Sequence, residues 1–215
     1  VSGTNSSTVI AIDGPAGAGK STVGRAIARR LGVEYLDTGA MYRAVTFAVL
    51  RRGVDPHDVE GVAAVAADID LRIDDDGVFV DGEDATVEIR GREVTGAVSS
   101  VAANSGVRAE MVDVQRAWVA QHGGGVVEGR DIGSVVFPNA DLKLFVTASA
   151  RVRAERRVAE IGGDVDDVEA SIIERDRKDS SRADSPLVEA SGSVVVDTTG
   201  MTIEEVVEHI VEMLP

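Results

Sequence analysis

The feature that most constrains this chain is Gly14-Pro15-Ala16-Gly17-Ala18-Gly19-Lys20-Ser21, followed by Thr22. It fits G-x-x-x-x-G-K-[ST], the pattern of a loop that wraps a polyphosphate. Val9–Asp13, just before it, is short and mostly apolar, as a buried parallel strand is. Just after it, Val23, Ala26, Ile27 and Leu31 recur at helical spacing. Strand, tight glycine turn and helix are therefore expected in the first thirty residues. Gly14, Gly17 and Gly19 let the backbone fold around phosphate oxygens with no side chain in the way. The backbone N–H groups then converge at the positive end of a helix. In this pattern Lys20 bridges the two terminal phosphates, the Ser21 hydroxyl ligates Mg²⁺, and Thr22 lies within reach of a phosphate oxygen. The chain has only three lysines, Lys20, Lys143 and Lys178, against 19 arginines, so a lysine at this position by chance is less expected than in an average protein.

The rest of the composition limits the alternatives. A length of 215 residues suits one α/β domain with a small insertion. There is no cysteine, which excludes disulfides and thiolate metal sites and fits a cytoplasmic location. No run of 18 apolar residues occurs, so no membrane span is expected. Residues 1–8 are small and polar, lack the charged and apolar regions of a signal peptide, and are expected to form a disordered tail. The net charge of −15 argues against non-specific nucleic-acid binding. A phosphate site in so acidic a chain requires that a minority of its arginines gather in one place.

Further along, Val33–Asp37 reads as a second strand that runs into Thr38-Gly39-Ala40-Met41-Tyr42-Arg43. Thr38 is expected to cap the helix that starts there. His57 to Asp68 patterns as a helix. Residues 69–90 alternate in three pieces around Asp74-Asp75-Asp76-Gly77, which predicts a small antiparallel sheet with a solvated acidic tip. Val94 to Gln121 patterns as two helices broken near Asn104-Ser105-Gly106. Trp118 reads as packing. Val126-Val127-Glu128 leads into Gly129-Arg130-Asp131-Ile132-Gly133, an Arg–Asp pair between glycines at a strand tip. Asp141–Val146 is the next strand. Arg151, Arg153, Arg156 and Arg157 follow on a helix. Gly162-Gly163 breaks it, and a second basic segment ends in Arg175, Lys178, Asp179 and Arg182. The two segments around a glycine hinge look like a lid. A last strand, Ser193–Asp197, precedes a helix from Thr202 to Leu214 that opens on a capping box, Thr202 with Glu205. Strands near 9, 33, 126, 141 and 193 give an α/β, three-layer P-loop core with a five-stranded parallel sheet and an inserted antiparallel β subdomain.

Taken together, these segments resemble the bacterial cytidylate kinase family of nucleoside monophosphate kinases. The likeness runs from Val9 to about Leu214. It rests on Ile12–Thr22, Leu36–Arg43, Gly129–Gly133 with Val135-Val136-Phe137-Pro138, and Arg175-Asp176 leading to Asp179-Ser180 and Arg182. The resemblance implies a core of 9–37, 123–150 and 190–215, a nucleoside-monophosphate-binding insertion over about 38–122, and a lid over about 151–182. It implies ATP on Gly14, Pro15, Ala16, Gly17, Ala18, Gly19, Lys20, Ser21 and Thr22, with Mg²⁺ on Ser21. CMP or dCMP would lie among Thr38, Tyr42, Arg43, Ser100, Arg108, Arg130, Asp131, Asp179 and Arg182, with Ser100, Asp179 and Arg182 reading the cytosine. Lys20, Arg130, Arg153, Arg157 and Arg175 would serve the transfer. Asp37 or Asp131 is a candidate to position magnesium waters. Lys178 stands where some relatives carry arginine, and an ammonium lacks the planar fork. A monomer acting on small molecules, with neither nucleic acid nor membrane as partner, is the expected form. Two alternatives are a kinase for AMP, UMP or shikimate, and a GTPase-like switch. No Asn-Lys-x-Asp guanine motif occurs at any of the three lysines.

Overall fold

The computed structural model describes residues 8–74, 77–182 and 184–213. The chain divides into two compact units, Val1–Leu36 with Trp118–Pro215, and Asp37–Ala117. The expected tail up to residue 7, Asp75 and Asp76 of the expected hairpin tip, and Leu214 lie outside the described residues.

The first unit is built on β1 (Val9–Asp13), β2 (Tyr35–Asp37, whose last residue belongs to the second unit), β6 (Gly125–Glu128), β7 (Leu142–Thr147) and β8 (Val194–Asp197). These form one sheet of order β2-β6-β1-β7-β8. β1 lies between β6 and β7, parallel to both, with Ile12 opposite Glu128 and Leu144. β7 and β8 are also parallel. A central strand buried on both faces needs apolar residues without alternation, and Ile10, Ala11 and Ile12 supply them. Helices α1 (Lys20–Leu31) and α8 (Ile203–Val211) pack on one another, and Val23, Ile27, Val206 and Ile210 join Ile12, Leu144 and Val196 in one core. The capping box on α8 is present, with Thr202 accepting from the Glu205 N–H and Glu205 accepting from the Thr202 N–H. Helices α6 (Ala150–Ile161) and α7 (Val165–Ser180) pack together on either side of the Gly162-Gly163 break, where both glycines have positive φ. Trp118 stacks on His122 with ring centroids 4.2 Å apart, a packing role.

In the second unit α2 (Thr38–Arg51) touches α3 (Val59–Asp68), α4 (Arg92–Val101) and β4 (Gly77–Val80). Met41, Val45 and Val49 on α2 are buried, as are Val62, Val80 and Val98. β3 (Leu71–Asp74) pairs antiparallel with β4, which pairs with β5 (Glu83–Asp84). The long helix α5 (Ser105–His122) begins after the break at Asn104, whose side-chain oxygen accepts from the Gly106 and Val107 N–H groups.

Two expectations are corrected here. The third alternating piece, Ala85–Arg90, is not a strand. The strand ends at Asp84, with one further cross-strand bond from the Ala85 N–H to the Val78 carbonyl, and Glu88–Arg90 is a 3-10 turn. The Thr86 hydroxyl takes the Val78 N–H and the Asp84 carboxylate takes the Thr86 N–H, which bends the chain out of the sheet. Ala85 and Ile89 are then buried one helical turn apart, a spacing that mimicked alternation. The second correction concerns the cap of α2. Asp37 has the extended backbone of a cap and accepts the Ala40 N–H, while Thr38 is the first helical residue.

Candidate active site

The loop between β1 and α1 has the backbone its glycines predict. Gly14, Gly17 and Gly19 all have positive φ. A Cβ on Gly14 would stand 1.9 Å from the Val146 carbonyl oxygen, so no other residue fits there. Gly19 is the left-handed cap residue of α1, and α1 has neither a side-chain cap nor an acidic residue in its first turn. By contrast, α2, α3, α6, α7 and α8 are each capped by a side chain, and α4, which starts at Gly91 without one, carries Glu93 in its first turn. The open amide end and positive pole of α1 suit an anion. Lys20 is buried, and its ammonium donates to the Pro15 carbonyl at 2.9 Å, folded back across the loop that a phosphate would enter. Ser21 Oγ donates to Glu128 Oε1 at 2.8 Å. With its proton given to Glu128, the hydroxyl keeps its lone pairs for a cation. Among the described residues no group of three or more His, Asp and Glu side chains stands ready to hold a metal by itself. The Ser21 hydroxyl and the Glu128 carboxylate behind it are hard oxygen donors, of the kind that suits a divalent ion carried in largely by phosphate oxygens and water.

Behind the loop stands Arg153, which is buried and holds three partners: Ala16 O at 3.0 Å, Ala148 O at 2.9 Å and Asp176 Oδ2 at 2.6 Å. It braces the loop against α7. Arg156 bonds the Thr198 carbonyl and hydroxyl, and that hydroxyl also lies 3.2 Å from Ala18 O. A Cβ on Gly19 would be 3.8 Å from the Arg156 guanidinium. Arg157, which the resemblance assigned to the transfer, is half-exposed and paired with Glu160 on its own helix. One residue of helical rotation separates the arginine beside the loop from the one that reaches solvent. Arg175 is half-buried on α7, and Lys178 is exposed beside Glu174.

In the same unit Asp179 is 1% exposed and holds two arginines. Arg130 Nε donates to Oδ2 at 3.0 Å and Arg182 donates to Oδ1 at 2.5 Å. The carboxylate expected to read a base is thus first of all the counter-ion that aims two guanidinium groups. Its remaining lone pairs are still able to accept from an amine. Asp131 is buried, and its carbonyl accepts from Val135 and Val136 in a π-helical turn, Ile132–Val136. Such turns are frequent at functional sites.

The second unit carries the other expected residues. Thr38 and Tyr42 are buried one turn apart on α2. Arg43 donates to Ile89 O at 3.1 Å and to Thr95 Oγ1 at 3.0 Å. Arg108 is buried on α5, bonds Ala102 O at 3.2 Å, and lies 5.4 Å from the Tyr42 ring centroid. Ser100 sits half-buried near the end of α4. Asp37, proposed for magnesium waters, spends one oxygen on its cap and has Arg90 at 3.7 Å from the other.

A family model described as "Cytidylate kinase" matches residues 10–215. The chain belongs to the cytidylate kinase family. It is 48% identical over 219 residues to the cytidylate kinase of Mycolicibacterium paratuberculosis (strain ATCC BAA-968 / K-10), covering 98% of this chain and 96% of that protein. It is 49% identical over 217 residues to the cytidylate kinase of Pelotomaculum thermopropionicum, covering 96% of each. Among solved structures, a gluconokinase from Sinorhizobium meliloti 1021 superposes with a TM-score of 0.51 at 17% identity, over 94% of this chain and 89% of that one, a likeness of fold alone.

Two buried carboxylates of this family member escaped the sequence reading. Glu128 holds Ser21, and Asp13 accepts the Ile132 and Gly133 N–H groups. Each is a single acidic residue ending an apolar strand. That placement was the only available signal, since the partners lie 107 to 120 residues away.

Proposed function

We propose that the chain transfers the γ-phosphoryl group of ATP to CMP or dCMP, giving ADP and CDP or dCDP. The observation that carries the phosphotransfer reading is the uncapped, glycine-formed N-terminus of α1, with buried Lys20 folded over it. The acceptor follows from family membership and from the Arg130–Asp179–Arg182 cluster, a pair of aimed guanidinium groups able to grip a phosphate.

The acceptor is already an anionic phosphate, so the chain has no need of a strong general base. Its task is to position two anions and to neutralise charge. Lys20 and the amides of residues 16–21 hold the β- and γ-phosphates. Arg153 keeps the loop in shape, and Arg175 is assigned to the moving phosphoryl group. Arg130 takes the phosphate of CMP, and Arg182, which the resemblance assigned to the cytosine, is proposed for the phosphate as well because the Asp179 carboxylate aims it beside Arg130; Asp131 is proposed as a further contact to the nucleotide. Thr38, Tyr42, Arg43, Ser100 and Arg108 are proposed as further contacts to the same nucleotide. Magnesium, held by Ser21 and steadied through Glu128, would supply charge neutralisation at the β- and γ-phosphates. A cytoplasmic monomer is the proposed form.

An ADP-release assay with ATP and magnesium tests the reading. Saturable ADP release that depends on added CMP is the expected result. Release at the same rate with and without CMP would overturn it.

A further inference from the structure

Asp13 ends β1, one residue before the glycine loop, and is 2% exposed. The chemistry proposed above gives it no role. Yet both of its carboxylate oxygens are engaged: Oδ1 accepts the Ile132 N–H at 2.8 Å and Oδ2 accepts the Gly133 N–H at 2.7 Å. These amides open the π-helical turn, which Asp131, the residue before it, does not cap with its own side chain. The cap comes from a strand more than a hundred residues upstream. The turn is also pressed into place. A Cβ on Gly133 would stand 3.0 Å from Lys143 Cδ and 3.4 Å from Asp13 Oδ2. Gly129 N–H donates to Ile12 O at 2.9 Å, so the segment is pinned to β1 on both sides of Arg130.

We propose that Asp13 is a positioning residue for acceptor binding: by capping Ile132 and Gly133 it holds Arg130 in the direction that Asp179 completes, without itself touching a nucleotide. This rests on the assignment of Arg130 to CMP made above. Two amide donors on one carboxylate are best met by its ionised form, because protonation turns one oxygen into a donor and leaves it a weaker acceptor. Burial pushes the Asp13 carboxyl up to about 6, against the Gly133 and Ile132 amides, which lower it; Asp131 adds to the rise and Lys20 opposes it. The other charged neighbours are Lys143, whose stem lies on Gly133, and Glu128, which ends β6 opposite Ile12. The cap therefore loosens as the medium is acidified toward that value.

The test compares wild type, Asp13→Asn and Arg130→Ala by steady-state kinetics from pH 8 to pH 5.5. Asparagine keeps one acceptor and turns an amide donor toward the second N–H. At pH 8, Asp13→Asn should raise the KM for CMP by about tenfold, the scale of one charge-assisted hydrogen bond, and the KM for ATP by less than about twofold. The phosphate of CMP titrates in the same range, so the quantity read is the ratio of variant to wild-type KM, which should fall toward one at pH 5.5 as the wild type protonates. A ratio that does not move with pH, or equal rises for CMP and ATP, would overturn the proposal. A normal Asp13→Asn beside a defective Arg130→Ala overturns this proposal alone. An unchanged CMP KM in Arg130→Ala overturns the assignment of Arg130 and this proposal with it. Should Asp13→Asn not fold, amide exchange in the wild type decides. Protection factors of Ile132 and Gly133 should drop through pH 6 while that of Ile12 holds, and equal behaviour of the three contradicts the proposal.

Discussion

Arg130 and Arg182 share one buried carboxylate, and that arrangement makes a direct prediction. Arg182→Ala should raise the KM for CMP by about tenfold or more, with a much smaller effect on ATP. Steady-state kinetics with each substrate varied checks this, and equal effects on both would remove Arg182 from acceptor binding. Lys20→Ala should lower kcat by about 10²-fold or more at saturating ATP, the scale of one lost preorganised contact to the transferred charge. A near-normal kcat would contradict its role. Lys20 and Ser21 were legible in the sequence because their chemistry is bound to fixed neighbours in the chain. Glu128 and Asp13 were not, because they act through the register that sets Ile12 opposite Glu128 and through amides on a distant turn. Arg156 and Arg157 show the intermediate case. Residue type placed an arginine near the loop, but only helix rotation decides which one reaches Thr198.

Among the elements, those made by local rules were legible. β1, the glycine turn, α1, the break at Asn104 and the capping box of α8 all follow from pattern and cap chemistry. Thr202→Ala should cost about 1 kcal/mol of stability, read as a lower denaturant midpoint at unchanged slope. No loss would mean that α8 carries no weight in the core. The element misread as a strand, 85–90, fails for a physical reason. Ala85 and Ile89 bury on one side of a turn, and over six residues this is indistinguishable from period two. The assignment of Asp37 rather than Thr38 as cap also turned on backbone geometry, since both residue types cap well.

At the scale of the whole molecule, the ionised carboxylate of Asp13 works against stability. Its folded pKa of about 6 lies above the unfolded value of 3.8, so the folded chain holds the extra proton between those values. Stability from this group is fully present below the lower value and is lost as pH rises through the upper one. The ionised, buried form therefore costs on the order of 3 kcal/mol at pH 7.5. Whatever the offset left by the cap bond that asparagine cannot make, the stability of wild type relative to Asp13→Asn should rise by about 1 kcal/mol from pH 7.5 to pH 5. Denaturant melts of both proteins at the two pH values check the sign, and a wild type that loses ground to the variant on acidification would contradict it. A net charge of −15 frames the larger question of which anion the chain's few aimed cations select. The most direct test is an acceptor panel of CMP, dCMP, UMP, AMP and shikimate with ATP and magnesium, read as ADP release. The account predicts that CMP or dCMP exceeds AMP and shikimate in kcat/KM by at least about a hundredfold. Preference for AMP or shikimate, or ADP release indifferent to every acceptor, would contradict it.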